Sequence, residues 1–229
     1  MLQKIFSWLY SNPVMEKIIP TQIYLLRKEL AGCQTVLDLG CGPSSPIQYC
    51  GPFKHSVGVE VFEPYLKESR AKGIHQEYLL SHIEDLDFEE NSFDAVALIE
   101  VIEHMEEEKA AKVLELAEKW ARKKVVVTSP NGFVPQKALD GNQYQEHLSG
   151  WPLNKMKQLG YRSYGLAGFK FLRQEVEAET MGDDVFSSIR LRPRFFWFLV
   201  AALSQILTYR MPGWAFELLS IKSVSGSNR

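Results

Sequence analysis

Short apolar runs bounded by turn residues alternate along the chain with stretches whose apolar positions recur every three or four residues. The first rhythm predicts buried strands. Val36, Leu37 and Leu39 lie in one, His55 to Val61 form a second, and Glu77 to Leu80 a third. Phe93 to Ile99 follow the turn signal Asn91-Ser92, and Lys123 to Thr128 end at Ser129-Pro130-Asn131-Gly132. Tyr161 to Phe171 supply another. The second rhythm predicts helices. Ile5, Trp8 and Leu9, then Val14, Ile18 and Ile19, then Ile23, Leu25 and Leu26 imply two or three short ones over residues 1–30. Pro46 to Cys50 should begin a helix, Glu106 to Ala121 is long and amphipathic, and Trp151 to Leu159 is closed by Gly160.

The chain hinges on TVLDLGCGPSS, Thr35 to Ser45, where a strand breaks into a turn at Gly40-Cys41-Gly42 too tight for ordinary side chains. A ligand should sit against that backbone. A dinucleotide fold wants a third glycine at the sixth position of GxGxxG, and that position is Ser45. Asp38 stands just ahead of the turn. Its carboxylate would repel a diphosphate and attract a ligand with ammonium and sulfonium centres. The pattern therefore favours S-adenosylmethionine over NAD. Glu60, about twenty residues beyond the glycines, is placed to accept both hydroxyls of a ribose; capping the next helix with Glu63 and Pro64 is its other reading.

LDLGCG, then VGVEVFEPYL, then NSFDAVALIEVIEHM, in that order and at those distances, resemble the class I (Rossmann-like) S-adenosylmethionine-dependent methyltransferases of the methyltransferase domain 11/12 type. The resemblance covers about Thr35 to Tyr161. It implies an α/β fold, a three-layer sandwich around a mainly parallel seven-stranded sheet whose last strand is antiparallel. It further implies a cofactor site at Asp38, Gly40, Cys41, Gly42, Glu60, Val61, His82, Ile83 and Glu100, with adenine against the Ile83 backbone; His82 departs from the Asp common at its place. Such chains usually return directly to the final strand. Here residues 170–213 intervene, and WAFELLSIKS, Trp214 to Ser223, resembles the closing strand. Residues 1–30 and 170–213 are read as a helical cap on a single domain, the leading segment either as a lid or as packing on the sheet edge.

If EVIEHM turns helical at once, Glu100, Glu103 and His104 share one face. Joined by His147, they could hold a divalent cation, and a similar arrangement occurs in the small-RNA 3′-terminal 2′-O-methyltransferases. Alternatively Glu100 lines the methionine side of the cofactor site while Glu103 and His104 cap a helix. No metal is predicted. The turn-rich stretch Phe133 to Gly150, with Asp140-Gly141-Asn142, is long for a connection and so reads as functional. It makes His147 the general-base candidate, with a loop histidine bonded to backbone as the alternative.

Composition narrows the acceptor. With 229 residues and 45% hydrophobic content the chain can bury one sizeable core. Its 26 Lys+Arg against 28 Asp+Glu, formal net charge -2, disfavour a nucleic-acid partner, leaving a small or amphiphilic acceptor. Three cysteines without metal-type spacing fit a reduced, cytoplasmic protein, and the N-terminal segment lacks the pattern of a signal. Phe195 to Leu203 are apolar without a break, too short to span a bilayer. Flanked by Arg190, Arg192, Arg194 and Arg210, they suit an anionic lipid surface, an apolar substrate, a homodimer, or packing on their own domain. The tail SVSGSNR reads as disordered. Rival functions are a metal-assisted RNA 2′-O-methyltransferase and a non-catalytic binding or scaffold protein.

Overall fold

The strand at the hinge, β1 (Thr35–Leu39), lies near the middle of the sheet, with β2 (His55–Glu60) parallel on one side and β4 (Phe93–Ile99) parallel on the other. The computed structural model describes residues 18–138, 141–174 and 188–224. The predicted helices before Ile18, Asp140 and the end of the tail lie outside them. β3 (Glu77–Leu80) forms one edge. β5 (Ala121–Pro130), β6 (Arg162–Phe169) and β7 (Ala215–Ser223) complete seven strands in the order β3-β2-β1-β4-β5-β7-β6. β7 runs antiparallel to both neighbours. The sheet is the mainly parallel seven-stranded one implied by the motifs, with its last strand reversed.

Side-chain alternation assigns the two faces. Leu37, Leu39, Val57, Val59, Val96, Leu98, Val125 and Val127 meet α3 (Glu107–Trp120) and α4 (Leu153–Gln158). α3 offers them Ala110, Val113, Leu114, Ala117 and Trp120, one stripe of an otherwise charged helix. Val36, Ala95, Ala97 and Val126 face the other way, against Leu25, Leu26 and Leu30 of α1 (Gln22–Leu30). α1 is thus a sheet-packing helix, and only Gln22 at its start reaches the ligand end of the sheet.

Two local expectations change. Pro46 to Cys50 do not begin an α-helix: Pro46–Tyr49 is one 3-10 turn, capped by Ser45 Oγ on the Ile47 N–H at 3.2 Å. Gly51-Pro52 follows at once, and proline has no N–H with which to continue. α2 (Glu63–Lys72) takes up helical structure only after β2. The EVIEH segment does not turn helical at once either, as described below. Within residues 170–213, the described helix α5 (Arg194–Thr208) lies on β6. Gly165 and Gly168 allow that contact, because a Cβ on either would strike the α5 carbonyls of Thr208 and Ala201.

Candidate active site

The carboxyl ends of β1, β2 and β4 open on a cavity of about 650 Å³. Gly40 and Gly42 form its floor with φ of +70° and +56°. A Cβ on Gly40 would lie 2.6 Å from Val101 Cγ2, whereas beyond Gly42 there is open space. The first glycine is demanded by packing, and the second leaves room for a ligand against the backbone. Cys41 is buried between them, its N–H donating to Val59 O at 2.9 Å, and burial pushes its thiol far up.

Glu60 holds this turn in shape. Its Oε2 accepts from Gly42 N at 3.0 Å, and its Oε1 accepts from Val61 N and Phe62 N, each at 2.9 Å. Burial raises its pKa, against those three donors. Oε1 is saturated, so a ribose has chiefly Oε2 to use, a narrower fit than the bidentate one expected. Val61, His82 and Ile83 continue the wall, the His82 ring packed edge-on to Tyr144 at 5.7 Å.

Asp38 is placed otherwise than its position beside the turn suggests. It does not line the cavity: its side chain is buried on the α1 face, with Oδ2 3.1 Å from His75 Nε2. The acidity of the cavity comes instead from Glu60, Glu84, Glu100 and Glu106 on its wall, where Lys109 is paired with Glu84.

At the end of β4 the backbone is strained. Glu100 has φ +54°, unusual for a side chain of its size, while its N–H is held by Thr128 O and Oγ1, each at 3.1 Å. Only after Val101 does the chain make a 3-10 turn, Ile102–His104. The three side chains therefore separate: Glu100 and His104 line the cavity, whereas Glu103 is sealed beneath it. The loop after β5 docks on this turn through Leu148 N and Ser149 N to Glu103 O, at 2.7 and 3.1 Å, and through Trp151 Nε1 to Ile102 O at 3.2 Å.

His147 also stands behind the wall, its ring edge-on to His104 at 4.8 Å. His147 Nδ1 lies 2.6 Å from Val134 O, and His104 Nδ1 lies 3.2 Å from Glu146 O. A carbonyl only accepts, so each Nδ1 carries the proton and each Nε2 is the basic atom. Burial, with the neighbouring His147, pushes His104 down to about 4; burial also lowers His147. Both rings are neutral near neutral pH. Glu103, His104 and His147 bring three ligand atoms within 4.8 Å of one another.

Two residues with no place in the sequence-level site complete it. Glu217 of β7 forms, with Glu100 and Glu103, a set of carboxyls, Glu103 buried and the other two half-buried, whose pKa values are all raised. Burial and then Glu100 bring Glu217 up to about 7, with Arg173 opposing. One oxygen of Glu100 and both of Glu103 lack a hydrogen-bond partner. Gln22 is the second. It lies on the wall of the large cavity and of a smaller one of about 190 Å³, whose other walls include Leu166, Ala167, Ala201, Gln205 and Glu217. Glu217 had one visible sign, a lone charge within the apolar run FELLSI.

Residues 37–127 match the family model described as a methyltransferase domain. Among solved structures, the chain is similar to a putative methyltransferase of Haloferax volcanii solved in complex with the Trm112 methyltransferase activator. The two share 14% identity at a TM-score of 0.55, over 99% of this chain and 98% of that one. It is also similar to the plantazolicin methyltransferase BpumL in complex with SAH, at 14% identity and TM-score 0.53, over 98% of each chain. The methyltransferase domain of bacterial CtHen1-C shares 16% identity at TM-score 0.53, covering 90% and 97%. At these identities the likeness is one of fold. No curated protein matches the chain.

Proposed function

We propose that this chain is a class I S-adenosylmethionine-dependent methyltransferase, with its methyltransferase domain at residues 37–127, and that it methylates a small or amphiphilic acceptor held in the smaller cavity. One observation carries the cofactor's place. A glycine cradle with open space above Gly42 continues directly into an acidic wall at Glu60 and Glu100. A diphosphate would meet carboxylates there; a nucleoside bearing ammonium and sulfonium charge suits them. In this reading Gly40, Cys41 and Gly42 face the amino-acid portion, Glu60 and Val61 the ribose, His82 and Ile83 the adenine, and Glu100 the sulfonium end. Asp38 supports the turn from behind.

When bound, S-adenosylmethionine supplies a methyl carbon already activated by its sulfonium. The protein's share is to align an acceptor and, for a hydroxyl or protonated amine, to remove one proton. His104 Nε2 is the better placed base, because its ring is on the wall and neutral. His147 stands behind it as the residue that positions the ring. The smaller cavity supports the acceptor class: its apolar wall of Leu166, Ala167, Ala201 and Ala202 carries the few polar groups Arg173, Gln205 and Glu217.

Calorimetry against S-adenosylmethionine, S-adenosylhomocysteine, NAD and ADP tests the cofactor, with binding expected for the first pair alone. Transfer of labelled methyl groups into amphiphilic hydroxyl and amine acceptors, with RNA in parallel, tests the acceptor. Absence of transfer despite tight cofactor binding would favour a scaffold. The cluster of Glu103, His104 and His147 supports a second reading, metal-assisted methylation of an RNA ribose. It requires transfer into RNA that stops on chelation and returns with a divalent cation.

A further inference from the structure

α5 buries Phe198 and Ala201 together with its polar residues Ser204, Gln205 and Thr208, while Phe196, Leu199, Leu203, Ile206 and Leu207 form an apolar stripe facing outward. Leu203 is 60% exposed and Leu207 56%. The inward face is locked to β6, where the chain bulges between Leu166 and Phe169 and frees backbone groups. Gln205 Oε1 accepts from Gly168 N at 3.0 Å, and Gln205 Nε2 donates to Gly165 O and Pro20 O, each at 2.9 Å. Ser204 Oγ accepts from Phe169 N at 3.0 Å. Turning the helix to hide its leucines would strand these buried groups. The outward apolar stripe is therefore built into the fold.

The charges around it identify what covers it. From Ser188 to Trp214 the sequence has no aspartate or glutamate, and Arg190, Arg192 and Arg210 flank the stripe at both ends. Trp214, 57% exposed, extends the apolar surface beyond the helix end. A second copy on a two-fold axis would bring the arginines of this stretch against those of the same stretch. Phosphate headgroups over acyl chains satisfy the arginines and the stripe together. The 15 residues of α5 are too few to cross a bilayer, and no helix among the described residues is long and apolar enough to do so. We propose that the outer face of α5 docks the protein in the plane of an anionic lipid bilayer. The smaller cavity borders the inner side of the same helix, at Ala201, Ala202 and Gln205, so docking brings it to the membrane surface.

The test is co-sedimentation of the full chain with phosphatidylcholine vesicles, with and without about 30% phosphatidylglycerol, at low and high salt. Binding is expected only with the anionic lipid and should fall as salt rises. Arg192→Ala and Arg210→Ala should each weaken it about fivefold, and the pair more. Leu203→Glu with Leu207→Glu should abolish it. These positions are exposed, so circular dichroism and S-adenosylhomocysteine affinity should stay unchanged. That second readout also separates failure here from failure of the cofactor reading. Equal partitioning onto both vesicles, or full binding by the double glutamate variant, overturns the proposal. So does a dimer in sedimentation velocity that Leu203→Glu disperses, which would give the face to a second copy.

Discussion

Asp38 Oδ2 and His75 Nε2 lie 3.1 Å apart with both side chains almost wholly buried. The separation is that of an ion pair, though the geometry is not that of an aligned hydrogen bond. The neighbours of Asp38 in the sheet are Gly58 and Ala97, small residues that leave a trench on the α1 face. The His75 ring fills it, its Nδ1 3.2 Å from Ser56 Oγ. A Cβ on Gly58 would lie 2.5 Å from His75 Cδ2. This glycine inside a strand is thus explained by a ring arriving from a distant loop.

That contact predicts a coupling. Gly58→Ala should destabilise the protein by about 1–3 kcal/mol through overpacking, and His75→Ala by about 2–4 kcal/mol through a cavity and an orphaned carboxylate. In the His75→Ala background, Gly58→Ala should lose most of its cost. Urea unfolding of the four proteins measures the difference. Strict additivity would mean that the ring and the glycine do not meet as described.

The same pair marks where the sequence stopped being legible. The central strands could be read because each is apolar on both faces, and the cradle because two glycines at a strand end have few other uses. Spacing could not supply what faces Asp38, since His75 reaches it from a different element. Glu217 arrives beside Glu100 only when β7 inserts between β5 and β6. The outward apolar stripe of α5 was illegible for a related reason. Its buried Gln205 and Ser204 make sense only against the bulge at Ala167 and Gly168, which is tertiary information.

Glu60 should matter more to cofactor affinity than Asp38. Glu60→Gln replaces one accepting oxygen by a donor, so it must give up Gly42 N or the Val61 and Phe62 pair. The expected loss is about 1–3 kcal/mol, or roughly five- to 150-fold in S-adenosylhomocysteine affinity by calorimetry. Asp38→Asn should act mainly on stability, with a smaller change in affinity. A larger affinity loss in Asp38→Asn than in Glu60→Gln would return Asp38 to the ligand.

The pH profile of stability should contain two opposed contributions. Glu217 is raised from 4.5 to about 7 on folding, so the folded state holds more protons between those values and stability falls as pH rises through them. His104 is lowered from 6.5 to about 4, so the unfolded state holds more protons there and stability falls as pH drops through that range. These two contributions offset each other from about pH 4.5 to 6.5. Glu217→Gln should unmask a rise with pH, and His104→Gln a fall, each on the order of 2 kcal/mol across the window. Urea midpoints at a series of pH values decide it; parallel profiles for all three proteins would exclude the assignment.

Glu100 links strain, charge and ligand. Its positive φ suits glycine, so Glu100→Gly should raise stability by about 1 kcal/mol while weakening cofactor binding. Burial raises its pKa, and a sulfonium arriving beside it would favour the ionised form. At any pH where the Glu100 and Glu103 cluster is still partly protonated, binding of S-adenosylmethionine should therefore release protons from it, and binding of the uncharged thioether product should release fewer. Titrations in buffers of different ionisation enthalpy count those protons directly. Glu100→Gln should bring the two ligands to the same count and narrow the affinity gap between them. If the wild-type protein already gives equal counts, the carboxyl cluster does not sense the sulfonium, and Glu100 belongs to another part of the site.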